Sequence, residues 1–67
     1  MERNLCLNWQ AFVNEAVKRR KEQKLTQAQL AVLSRVSKPT VNRFEQGKTN
    51  ITLNSVFKIL DQLGLLE

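Results

Sequence analysis

One cysteine and no histidine leave this chain without a covalent or metallic staple, so side-chain packing alone must hold whatever it folds into. Cys6 has no partner for an internal disulfide, and no zinc site of Cys and His ligands can be assembled. At 67 residues, folding hides only about 60% of the surface that the unfolded chain exposes. The core must therefore be small and densely apolar, and a large enzyme fold is excluded. Apolar residues make up 42% and charged residues 25%, which suits a globular domain and not a disordered tail.

Apolar side chains recur at helical spacing in four places. Trp9, Phe12, Val13, Ala16 and Val17 predict an amphipathic helix over residues 9–22, with Asn8 as its N-cap. Thr26 followed three residues later by Gln29 forms a capping box, opening a short second helix with Leu30, Ala31 and Leu33 on its apolar side. Ser37 caps a third helix, with Pro39 in the first turn where no intrahelical acceptor is lost; it runs to Gln46, and Gly47 stops it. Thr52 caps the last helix, whose apolar side carries Leu53, Val56, Phe57, Leu60 and Leu63, and Gly64 ends it. With no strand pattern, repeat or linker, the expectation is an all-α fold, with residues 1–67 forming one domain. No apolar run reaches signal-peptide or membrane-spanning length, so a cytoplasmic chain with no membrane partner is expected.

The two middle helices are separated by a short turn, which is the layout of a helix-turn-helix unit over residues 26–47. The charge agrees with a polyanionic partner. The net charge is +5, yet residues 18–48 hold nine basic and two acidic side chains, +7, and the remainder sums to −2. Turning Val41 and Phe44 inward at 100° per residue directs Pro39, Asn42, Arg43 and Gln46 to the opposite face, with Lys38 at the N-terminal end. Arg43 and Lys38 suit guanine O6 and N7, while Asn42 and Gln46 suit adenine. Such a face is also compatible with simple solvation; the layout and the local charge favour double-stranded DNA. Ser37, Thr40, Lys48, Thr49 and Asn50 are phosphate candidates, their residue types being equally those of turns. Lys18, Arg19, Lys21 and Lys24 at the end of the first helix supply long-range attraction.

Catalysis is poorly provisioned, with no histidine, no tyrosine and carboxylates scattered singly, and no cofactor is implied. Gly47-Lys48-Thr49 resembles the end of a phosphate-binding loop, but Asn42 stands where that motif needs glycine.

From Arg20 to Gly64 the residues carry a resemblance. Arg20, Leu25-Thr26-Gln27, Leu30-Ala31, Val36-Ser37, Val41, Phe44-Glu45, Gly47, Thr52-Leu53 and Leu63-Gly64 make this stretch resemble the helix-turn-helix domain of the lambda-repressor and Cro family, of XRE type. The resemblance covers about two-thirds of the chain. It implies a compact bundle of four or five helices that binds a palindromic operator as a homodimer, the third helix in the major groove. Among its members, the chain looks most like small stand-alone regulators, which include antitoxins and phage or plasmid repressors. The resemblance further implies that Gln27 holds a phosphate and that Arg20 and Glu45 form a structural salt bridge. Lys24 and Arg35 stand where the family commonly has glycine, and Pro39 where it commonly has a polar residue. Leu5, Leu7, Leu65 and Leu66 at the chain ends are left over by the four helices and, helped by Phe57, are expected to make the dimer contact, the alternative being that they cover the small core from below.

Two function classes follow. The first is a sequence-specific DNA-binding transcription regulator, a repressor by the resemblance. The second is a protein-interaction module, such as the antitoxin partner of a toxin, with little DNA reading of its own.

Overall fold

A computed structural model describes residues 8–66. Four helices follow one another, α1 (Trp9–Glu22), α2 (Gln27–Ser34), α3 (Lys38–Glu45) and α4 (Leu53–Gln62), and no strand occurs among the described residues. The architecture is all-α. Each helix begins where a side-chain oxygen takes up an orphan backbone N–H. Asn8 accepts from Ala11 N–H at 3.1 Å, Thr26 from Gln29 at 3.0 Å, Ser37 from Thr40 at 3.2 Å and Thr52 from Ser55 at 3.1 Å. The capping box is reciprocal, because Gln29 Oε1 also accepts from Thr26 N–H at 2.8 Å.

The turns after α1 and α2 each need a left-handed residue to release the chain, and Lys24 (φ 59°) and Arg35 (φ 62°) occupy those positions. A side chain there is strained by Cβ, up to about 1 to 2 kcal/mol each. Glycine supplies the same backbone without strain after α3, at Gly47 (φ 82°).

Val13 and Ala16 of α1, Leu30 and Ala31 of α2, Val41 and Phe44 of α3, and Val56, Ile59, Leu60 and Leu63 from α4 and its cap form one buried cluster. A buried side chain of Val, Leu, Ile or Phe size contributes about 1.5 to 3 kcal/mol, so these few residues carry most of the fold. α2 packs against both α3 and α4, and α1 packs against α3. Trp9, Val17, Leu25, Val36, Ile51 and Leu65 close the cluster from its rim.

Three expectations from the sequence, two of them from helical wheels, are corrected by this packing. On α2 the third inward position belongs to Ser34, 4% exposed, while Leu33 is 49% exposed. On α4 the buried stripe runs through Ile59, and Leu53 and Phe57 lie outside it at 67% and 48% exposure. Leu65 packs on the core of its own chain instead of standing free for a partner. On α2 and α4 the local apolar pattern was broad enough to allow two rotations, and docking against the other helices selected one. Leu5 and Leu7 lie outside the described residues.

Candidate nucleic-acid interface

The third helix is held from behind. Arg20, from α1, donates through Nε to Glu45 Oε2 at 2.6 Å and through Nη2 to Oε1 at 3.1 Å, a bidentate pair. Its remaining Nη1 donates to the Leu25 carbonyl at 2.8 Å, so one guanidinium ties α1 to the last turn of α3 and to the turn before α2. The pair is mostly buried, with side chains 13% and 8% exposed. Glu45 is thereby kept off the outer face, where a carboxylate would repel phosphate.

Glu45 also receives the side chain of Gln27, the first residue of α2, whose Nε2 donates to Oε1 at 2.8 Å. Asn42 Nδ2 approaches Gln27 Oε1 at 3.4 Å, and Gln46 Nε2 donates to Asn42 Oδ1 at 2.9 Å. A line of polar contacts therefore runs from the buried pair to the exposed face of α3. Gln27, Lys38, Pro39 and Asn42 converge around one shallow hollow at the junction of α2 and α3. Gln27 sits at a helix N-terminus, where free N–H groups and the helix dipole favour an anion.

Lys38, Pro39, Asn42 and Gln46 are exposed, whereas Arg43 is not fully so. Arg43 lines a cleft with Thr40, Thr49, Asn50, Ile51, Thr52 and Ser55, and its Nε is buried there with no hydrogen-bond partner. This corrects the helical wheel, which turned Arg43 fully outward: the loop after α3 folds over that flank of the helix. Sequence spacing within α3 carries no information about a loop that returns from beyond it.

Ser37 and Thr40 are partly engaged with each other, their hydroxyls 2.7 Å apart at the start of α3. Lys48, Thr49 and Asn50 are exposed on the loop between α3 and α4. The exposed face of α3 and this loop thus lie next to each other, bounded by lysine and arginine. Wheel reasoning missed two contributors altogether. Trp9 donates its indole N–H to the Gly47 carbonyl at 2.9 Å and meets Phe44 edge-on, the centroids 5.7 Å apart. Gln10 stands over Gly47 so closely that a Cβ there would come within 2.8 Å of its Oε1. Nothing in the spacing of α1 signals these contacts, since the partners are thirty-five to thirty-eight residues away.

Away from this face, Leu25, Ala28, Gln29, Val32 and Leu33 line an apolar hollow on α2, with Val32 77% exposed. Phe57 and Leu66 are exposed beside Lys58 and Asp61 on the outer side of α4. Among the described residues no cluster of His, Cys, Asp or Glu suits a metal ion, and no helix is long and apolar enough to cross a membrane.

Two short helices in tandem joined by a tight turn, the second presenting exposed polar groups, define a helix-turn-helix protein. The helix-turn-helix family model matches residues 18–66, most of the chain, and the chain belongs to that family, of XRE type. It is also similar to an uncharacterized HTH-type transcriptional regulator of Haemophilus influenzae, 37% identical over 54 residues that make up 81% of this chain and 55% of the relative. The chain spans about half the length of that curated relative.

Proposed function

We propose that this chain is a non-enzymatic, sequence-specific regulator of transcription that binds double-stranded DNA in the cytoplasm with α3 in the major groove. The observation that carries the reading is the exposed set Lys38, Pro39, Asn42 and Gln46 on a helix pinned from behind by the buried Arg20–Glu45 pair. Arg43, leaving its cleft at the edge of this set, is the reader of guanine, with Lys38 beside it. Gln27, Ser37, Thr40, Lys48, Thr49 and Asn50 surround the readers and hold phosphates, which fix register without reading sequence. The similarity to a transcriptional regulator supports the same reading.

A palindromic operator calls for a two-fold dimer. The dimer contact is assigned to Phe57 on α4 and Leu66 beyond its end, flanked by Lys58 and Asp61, whose opposite signs on one patch suit a self-complementary contact. Repression is the outcome in keeping with such a dimer covering a promoter.

A second reading, docking of a protein such as a toxin, is favoured by one observation, the apolar hollow at Leu25, Ala28, Val32 and Leu33. Selection of bound duplexes from a random pool separates the two. The regulator reading expects one enriched palindrome; Arg43→Ala should then cost about 1 to 3 kcal/mol per half-site and flatten preference at one base pair. Lys48→Ala should weaken all sequences alike and lower the salt slope by about one. Retention of the wild-type rank order by Arg43→Ala across single-base changes would transfer the case to the protein-docking reading.

A further inference from the structure

The loop after α3 bears three of the phosphate candidates, and few contacts among the described residues hold it. Two bonds close α3 itself, from Gly47 N–H to the Phe44 carbonyl at 3.0 Å and from Lys48 N–H to the Arg43 carbonyl at 3.1 Å. Beyond these, among the described residues one hydrogen bond fastens positions 47–51 to the rest of the fold: Trp9 Nε1–H to the Gly47 carbonyl, 2.9 Å. The apolar side chain of Ile51 adds packing against the core.

The fastening point is geometrically tight. Trp9 packs on the core, its ring edge-on at 82° to that of Phe44, which is 1% exposed. Gly47 takes a left-handed backbone (φ 82°), which disfavours any side chain there, and the amide end of Gln10 from the same α1 turn lies beside it. The loop in turn walls the cleft that holds Arg43, through Thr49, Asn50 and Ile51. Displacing the loop therefore moves the phosphate donors and the surroundings of Arg43 together.

We propose that Trp9 is a positioning residue for DNA binding: its N–H fixes the Gly47 carbonyl and thereby orders the loop that carries Lys48, Thr49 and Asn50. The functional half of this inference rests on the DNA-binding reading above, and the structural half stands without it. An indole is suited to the task because it donates only, in one fixed direction, from a large ring that packing immobilises. A loop ordered before contact loses less conformational freedom on binding, and the gain appears as affinity shared by all sequences.

Trp9→Phe tests the inference, since it keeps an aromatic ring against Phe44 and removes the donor. Val13→Ala is the control, a fully buried change on the same helix that destabilises the core and leaves the indole donor in place. Both are compared with wild type well below their melting temperatures. In the free protein, backbone order parameters at Lys48, Thr49 and Asn50 should fall in Trp9→Phe from about 0.85 toward 0.6, and stay unchanged in Val13→Ala. On the selected duplex, loss of one such hydrogen bond should weaken Trp9→Phe about fivefold for matched and single-base variant sequences alike, with Val13→Ala binding as wild type. Unchanged loop order in Trp9→Phe overturns the fastening itself. Loosened loop order with wild-type affinity overturns its role in binding. Failure of the wild type to prefer any duplex is a different result: it overturns the DNA-binding reading and with it the functional half, leaving loop order to decide the structural half.

Discussion

Arg20→Ala removes three hydrogen bonds at once: two to Glu45, at 2.6 and 3.1 Å, and one to the Leu25 carbonyl at 2.8 Å. What matters most is what remains. Glu45, its side chain 8% exposed, would keep only the Gln27 amide at 2.8 Å as a partner. Deleting one member of a buried ion pair costs about 3 to 5 kcal/mol, because the other charge is left without compensation. The Gln27 bond and the slight exposure of both groups place this case at the lower end, about 3 kcal/mol. A chain of this length has total stability of only about 3 to 10 kcal/mol, so the variant should be marginally folded. Its melting temperature should drop by about 12 to 24 °C. Urea denaturation followed by far-ultraviolet circular dichroism measures the loss, with Lys21→Ala, an exposed neighbour, expected within about 0.5 kcal/mol of wild type. Equal midpoints for the two variants would refute the assignment of the pair as a principal tie between α1 and α3.

Three further outcomes are expected. Lys24→Gly and Arg35→Gly relieve Cβ strain at left-handed positions and should each raise stability by up to about 1 kcal/mol in thermal melts; a fall in both would show that the turns are not strained. Ser34→Ala removes a buried hydroxyl that has no partner and should stabilise by about 1 kcal/mol, a loss of stability in urea being the contrary result. Analytical ultracentrifugation of a Phe57→Asp, Leu66→Asp variant should find monomer where the wild type dimerises; an equal dimerisation constant would move the interface elsewhere.

The helix starts were legible in the sequence because each is a contact between residues three apart. Asn8, Thr26, Ser37 and Thr52 each find their acceptor role within their own first turn, whatever surrounds them. The exposure of Lys38, Pro39, Asn42 and Gln46 was legible for a similar reason, since Val41 and Phe44 allow α3 only one rotation. The charge concentrated between residues 18 and 48 is a property of the chain alone.

Tertiary structure decided what local pattern left degenerate. α2 is eight residues long and offers apolar side chains around most of its circumference, so only its docking against α3 and α4 could choose Ser34 over Leu33 for the interior. The same holds for α4, where Ile59 turned inward and Leu53 and Phe57 turned out. Arg43 became half-buried because a loop from beyond its own helix folded against it. The bond from Trp9 to Gly47 spans thirty-eight positions and that from Gln27 to Glu45 spans eighteen. Separations of that length carry no periodicity to read: the partners meet only after the core has fixed where each helix lies, and the side chains then bond to whatever the packing has brought within reach.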